Sequence, residues 1–189
     1  MEKKKYGFVI VLDRCIGCMA CYAACKIEWE ISINPEYWRT KVLNIEDHKP
    51  DGTPKITYLP ILCNQCSNPP CVWVCPTGAS YRREEDGIVL VVPDKCIGCK
   101  ACMNACPYDA RFFDEDLNAV NKCTWCLPRI NNGLEPACVN TCVGEARNFG
   151  RLDDPDSLVS KLLRDAKRVW KLKENEGTEP NVYYVTLNE

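Results

Sequence analysis

Residues 15–25 read CIGCMACYAAC, and residues 96–106 read CIGCKACMNAC. The four cysteines stand at the same offsets, and Gly17 matches Gly98 as Ala24 matches Ala105. Extended outward, both stretches start at an aspartate, Asp13 or Asp94, followed by a basic residue. Two further cysteine runs lie at 63-66-71-75 and 123-126-138-142, and they share a different ending, CVWVCPTGA at 71–79 and CVNTCVGEA at 138–146. Every run begins C-x2-C and ends C-x3-C, with middle spacers of 2, 4, 2 and 11 residues. Two motif types alternate along the chain, which indicates an internal duplication.

Three chemistries could use sixteen thiols in 189 residues. Disulfides need an oxidising compartment, and cysteines two or three residues apart are poorly placed to bridge without strain. Zinc ribbons pair two C-x2-C knuckles across a long spacer, often with histidine. Here the single histidine is His48, and in runs one and three a third cysteine follows at once. All-cysteine zinc sites remain the alternative of a structural class. The third chemistry is iron–sulfur: C-x2-C-x2-C-x3-C, often followed by proline, is the bacterial ferredoxin run that holds a [4Fe–4S] cube. Three thiolates on one loop can wrap three corners, with Gly17 and Gly98 letting the backbone approach. The fourth cysteine is expected to start a helix that turns away to the neighbouring cluster. Cys75-Pro76 and Cys106-Pro107 supply the proline. At four ligands each, sixteen thiolates serve four clusters with none left over.

Composition narrows the function classes. Net charge is −2 and the pI about 5.6, so no basic surface points to nucleic acid. Cysteine is counted in the 46% hydrophobic share, so the organic core is thin. The start, MEKKKYGFVIVLD, has too short an apolar run for a signal h-region and reads instead as a strand over Tyr6–Leu12. No stretch suggests a membrane span. There is no nucleotide loop, flavin fingerprint or catalytic serine or histidine constellation, so the chain reads as non-catalytic.

Between runs one and two, YWRTKVLNIED and KITYLPIL flank HKPDGTP, which predicts a β-hairpin around Asp51-Gly52 with His48 as a solvated turn residue. Glu84–Gly87 followed by IVLVV reads as a second hairpin arm. Pro69-Pro70 reads as a rigid loop bulge, and residues 131–135 as a surface loop. Asp154-Pro155 reads as N-cap and first helical position of a helix carrying Leu158, Val159, Leu162, Leu163, Ala166, Val169 and Trp170. NVYYVTL at the end could add a strand or clamp another chain. The five tryptophans and eight tyrosines read as packing around the cofactors.

The sequence resembles a known family: the four-cluster, ferredoxin-like electron-transfer subunits of the molybdopterin oxidoreductases (the dimethyl-sulfoxide reductase superfamily), and most of all those of polysulfide and thiosulfate reductases. The resemblance is carried by the four runs in order, by CNQCSNPPCVWVCPTGA at 63–79 and DGIVLVVPDKCIGCKACMNACPYDAR at 86–111, and by KCTWC at 122–126. PACVNTC at 136–142, FGRLDDPDS at 149–157 and GTEPNVYY at 177–184 extend it. Some relatives lose one cysteine and build a [3Fe–4S] centre; this chain keeps all sixteen. The resemblance implies an electron-transfer role in anaerobic respiration, with a sulfur compound or related acceptor. The partners would be a large molybdenum or tungsten molybdopterin catalytic subunit and an integral membrane quinone-reactive subunit. It also implies membrane association through those partners, on the periplasmic side by co-export rather than in the cytoplasm. The alternative of another class is a soluble polyferredoxin shuttling electrons between enzymes; the long tail after Cys142 favours the docked subunit.

The expected fold is α+β, with two interleaved bacterial-type ferredoxin modules, short hairpins, and a C-terminal helix and tail. Residues 1–60 and 116–150 form the halves of an outer module, 61–115 the inner module, and 151–189 the helix and partner-docking tail. A ferredoxin module exchanges the fourth cysteines of two runs. Runs two and three are close in sequence and share the Cys-Pro ending, so they pair. One cluster then takes Cys63, Cys66, Cys71 and Cys106, and another Cys96, Cys99, Cys102 and Cys75. The outer runs are left to give Cys15, Cys18, Cys21 and Cys142, and Cys123, Cys126, Cys138 and Cys25. The competing topology pairs run one with two and three with four.

Overall fold

The near-continuous apolar run YGFVIV forms β1 (Tyr6–Val11), with Phe8 to Val11 buried completely, as befits a strand covered on both faces. The computed structural model describes residues 4–188; residues 1–3 and 189 lie outside it. Two hairpin strands follow, β2 (Thr40–His48) and β3 (Pro54–Leu62), in register from Thr40↔Leu62 to His48↔Pro54. Their turn uses Gly52 at φ +82, a conformation glycine adopts without steric cost, and His48 is exposed beside it. Shorter hairpins link the later cysteine runs: β4 (Ser80–Arg82) with β5 (Val89–Val91), and β6 (Phe112–Asp114) with β7 (Ala119–Asn121). After the last run come β8 (Arg147–Arg151), β9 (Arg168–Trp170) and β10 (Val182–Thr186).

The largest sheet among the described residues has the order β8-β1-β10-β9. β1 is antiparallel to β8 (Phe8↔Phe149) and parallel to β10 (Phe8↔Val182). NVYYVTL thus adds a strand, and with Val182, Tyr184 and Val185 fully buried, that strand is spent inside the chain.

The six α-helices among the described residues are short. α1 (Ala20–Glu28), α2 (Pro70–Trp73), α3 (Ala101–Asn104), α4 (Leu127–Asn131) and α5 (Ala137–Asn140) lie within the cysteine runs, and α6 (Leu158–Asp165) lies beyond them. Against expectation, the helices do not start at the fourth cysteine. Cys21, Cys71, Cys102 and Cys138 already sit in a first helical turn, while Cys75, Cys106 and Cys142 fall past the helix ends. In runs one and three a left-handed residue, Met19 at φ +61 or Lys100 at φ +59, stands just before the helix and turns the chain early, and in runs two and four a proline, Pro69 or Pro136, holds the cap position.

Two further readings are corrected. Pro69-Pro70 is not wholly a loop bulge: Pro70 is the first residue of α2, where its missing N–H costs nothing. α6 does not start at Asp154-Pro155, because Ser157 is the cap, its Oγ accepting from the Ser160 N–H at 3.2 Å. Nor does it reach Trp170. Ala166 is extended (ψ 139), and Val169 and Trp170 belong to β9. Its buried face, Val159 and Leu162, covers Val9, Val11 and Val185 as a core separate from the cysteines. The main core instead interleaves Phe8, Ile10, Trp38, Leu62, Ile88 and Tyr184 with Cys21, Cys63, Cys123 and Cys138.

Candidate metal centres

The duplicated loops reach the same geometry by the same devices. Gly17 and Gly98 have φ of +69 and +66, which other residues adopt only with strain. What a Cβ there would strike is an aromatic ring: Tyr58 above Gly17 and Phe113 above Gly98, the latter at 3.1 Å. The glycines therefore serve the turn and its aromatic cover, beyond the approach to sulfide expected from sequence.

Two sets of thiols line hollows. One hollow is lined by Cys15, Cys18, Cys21 and Cys142. Another is lined by Cys96, Cys99, Cys102 and Cys75. The other eight thiols lie deeper. Burial pushes Cys66 up to about 12, with Cys63, Cys71 and Cys106 adding to it. Burial likewise pushes Cys25 up to about 12, and its thiol neighbours are Cys138 and Cys126. Cys123, raised by burial, has Cys25, Cys126, Cys138 and Cys63 around it. The thiols named around Cys25 belong to run four, α1 packs on α5, and α2 packs on α3.

Adjacent sets touch through polar side chains that sequence reasoning passed over. Gln65, in the second loop, donates from Nε2 to the Cys123 carbonyl at 2.9 Å and accepts the Val89 N–H at 2.7 Å. Lys122, buried with 2% exposure, donates to the same carbonyl at 2.7 Å. Arg111 donates to Cys71 Sγ at 2.8 Å, and its charge also acts on Cys102. The charge of Arg147 acts on Cys138, and its side chain lines the Cys15 hollow. Arg39 stacks on Trp29 at 4.1 Å, and Trp29 donates to Cys126 Sγ at 3.4 Å. Burial works against the charges of Arg111 and Arg147, but the surrounding cysteines outweigh it and hold both guanidinium groups above their ordinary range.

These contacts string the sets into one line. The Cys15 loop adjoins the Cys123 loop through Arg147; the Cys123 loop adjoins the Cys63 loop through Gln65 and Lys122; the Cys63 loop adjoins the Cys96 loop through Arg111. The two ends open to solvent at Cys18 and Cys99, beside the exposed Ile16 and Ile97. The middle is closed. Part of the closure comes from the tail, where Ser67 and Asn68 N–H groups donate to the Glu179 and Thr178 carbonyls and Asn181 caps the Gln65 carbonyl.

Whether these walls suit an iron–sulfur cube can be judged from their unmatched donors. Arg39 Nη1, Arg111 Nε and Nη1, and Arg147 Nη1 are buried without a protein acceptor. Such a donor costs about 1–3 kcal/mol if left bare, more when charged. All three guanidinium groups stand against cysteine sets, and a thiolate-held, sulfide-rich anion supplies the acceptors they lack. The fit is good.

Comparison with known proteins agrees with this chemistry. Residues 54–152 match a 4Fe-4S dicluster domain, and residues 14–79 match a second dicluster description. Among curated proteins the chain is similar to a tetrathionate reductase subunit from Salmonella typhimurium, at 43% identity over 99% of this chain and 74% of that one. It is similar to one of the polysulfide reductase chains of Wolinella succinogenes, at 44% identity over 96% of this chain and 94% of that one. A sulfite dehydrogenase subunit from Allochromatium vinosum is 40% identical, covering 95% and 82%. Two dicluster domains mean four [4Fe–4S] clusters. This protein belongs to the iron–sulfur electron-transfer subunits of the molybdopterin oxidoreductases. It is a subunit of a reductase-type complex, and catalysis resides in another chain of it. No helix among the described residues is long and apolar enough to cross a membrane.

Proposed function

We propose that this chain conducts single electrons along four [4Fe–4S] clusters in the spatial order Cys15 loop, Cys123 loop, Cys63 loop, Cys96 loop. The observation that carries the reading is the unbroken line of cysteine sets, closed in the middle and exposed at Cys18 and Cys99. A carrier with two exposed ends and a closed middle suits passage from one partner to another. When bound, each cluster supplies one-electron oxidation and reduction; the chain's own residues fix its place, exclude water and set its electrostatic surroundings.

The ligand sets are Cys15, Cys18, Cys21 with Cys142; Cys123, Cys126, Cys138 with Cys25; Cys63, Cys66, Cys71 with Cys106; and Cys96, Cys99, Cys102 with Cys75. The thiol neighbourhoods around Cys25, Cys66 and the two hollows support this exchange. It makes residues 61–115 an inner ferredoxin module set within an outer one formed by 1–60 and 116–150. The partners are a large molybdopterin catalytic subunit and a membrane subunit that reacts with quinone, in anaerobic respiration with a sulfur compound or related acceptor. The names of the tetrathionate and polysulfide reductase relatives support that acceptor class. The complex is membrane-associated through its partners, on the extracytoplasmic side.

Anaerobic purification from the native host, with and without membrane solubilisation, tests this. The expected product is brown, carries about sixteen irons and sixteen sulfides per chain, and pulls down a large molybdopterin protein. The isolated chain should exchange electrons with dyes and transform no small molecule. Recovery as a fully loaded, freely soluble single chain would replace this reading with the polyferredoxin. Zinc without sulfide would defeat both.

A further inference from the structure

Runs three and four close on related endings, CPYDAR at 106–111 and CVGEAR at 142–147. Each puts an arginine five residues past its fourth cysteine. Runs one and two have Glu30 and Ser80 at that offset. In the fold the two arginines occupy matching places. Arg111 is 4% exposed and Arg147 2%. Each is pinned through Nη2 by a buried hydroxyl, Arg111 by Ser80 Oγ at 3.0 Å and Arg147 by Thr40 Oγ1 at 2.8 Å. Each then spans two cysteine sets. Arg111 donates to Cys71 of one and its charge also acts on Cys102 of the next, while the charge of Arg147 acts on Cys138 and its side chain lines the hollow of Cys15, Cys18, Cys21 and Cys142. Each also keeps Nη1 buried with no protein partner.

We propose that Arg111 and Arg147 are a pair of junction cations, each of which sets the reduction potentials of the clusters on either side of it. This rests on the ligand sets given above. A cube held by four thiolates is an anion, and reduction adds a further negative charge. Two such anions side by side in a low-dielectric interior oppose each other's reduction. A fixed guanidinium between them offsets that repulsion and donates to sulfur, and both effects favour the reduced state. Arginine suits the task because it stays charged when buried and can donate in several directions at once. The inner junction is built differently, from Gln65 and Lys122 holding one backbone carbonyl. The potentials of the two terminal pairs therefore depend on these arginines, each pair on its own.

The test is EPR-monitored potentiometry on the anaerobically purified, loaded protein. Cys99→Ser and Cys18→Ser, changes at exposed ligands, mark which signal belongs to each end cluster. Arg111→Gln should lower the reduction equilibrium constants of the Cys63-loop and Cys96-loop clusters by about tenfold or more, about 59 mV for a one-electron couple, and leave the Cys15-loop cluster in place. Arg147→Gln should do the same to the Cys15-loop and Cys123-loop pair. Lysine at either position should restore part of the shift. If the glutamine variants load poorly, Ser80→Ala and Thr40→Ala, which unpin the guanidinium and in the second case also remove the Thr40 Oγ1 bond to the Ile61 carbonyl, should move the same pairs by less. Correctly marked, fully loaded variants with unmoved potentials, or with all four clusters shifted alike, overturn the proposal while leaving the ligand sets intact. A cluster marked by Cys99→Ser that responds to Arg147→Lys and not to Arg111→Lys overturns the ligand sets, and the proposal with them.

Discussion

Stripping iron from the protein anaerobically with a chelator is expected to abolish its tertiary structure, read as loss of near-ultraviolet circular dichroism together with the visible absorption. The largest apolar cluster is threaded by Cys21, Cys63, Cys123 and Cys138, so the side chains that surround the cofactors also form the core. Without the clusters those walls face one another across hollows, with arginine N–H groups unmatched. A domain's net stability is only about 5–15 kcal/mol, and the binding free energy of a metal centre absent from the unfolded state is folding free energy. Four centres outweigh that margin. Residual structure should be confined to the β8-β1-β10-β9 sheet, where α6 packs on Val9, Val11 and Val185 without help from cysteine. A stripped protein that keeps its full near-ultraviolet spectrum would show that the polypeptide core suffices.

Replacing Cys25 by serine is expected to damage the cluster of the Cys123 loop, far away in sequence, and to spare that of the Cys63 loop. Cys25 lies in α1, which packs on α5, and its thiol neighbours are Cys138 and Cys126. In the proposed order this cluster is interior, so one substitution interrupts the line. Iron should fall from about sixteen toward about twelve per chain, or one potential should shift while three hold. Electron passage from one end to the other should drop far more than dye reduction at either end. Mössbauer iron counts and stopped-flow reduction of the two ends would check it. Damage at the Cys63 loop instead would restore sequential pairing of the runs.

The chemistry of the site was legible because thiolate spacing is a local signal. Four loops announce themselves in short stretches of sequence, and the hairpins at Asp51-Gly52 and after Glu84 follow from turn chemistry of equally short range. What stayed hidden depends on distant partners. α6 was read too long because Val169 and Trp170 keep a helical spacing, yet their pairing with Tyr184 and Val185 draws them into β9. The tail was ambiguous because nothing local says that Val182 will meet Phe8. Gln65 and Lys122 lie inside CNQC and KCTWC, but nothing local gives them a role, and Arg39 carries no motif. Arg111 and Arg147 were visible as a repeated C-x4-R ending, but only the fold shows them standing between cysteine sets.

The most direct test of the central claim is an anomalous-difference map at the iron edge, on crystals of the loaded protein or its complex. The expected map shows four cube-shaped iron sites in a single line, ordered Cys15 loop, Cys123 loop, Cys63 loop, Cys96 loop, with Cys25 on the second and Cys106 on the third. Fewer than four sites, or Cys25 bound to iron of the Cys63 loop, would contradict it.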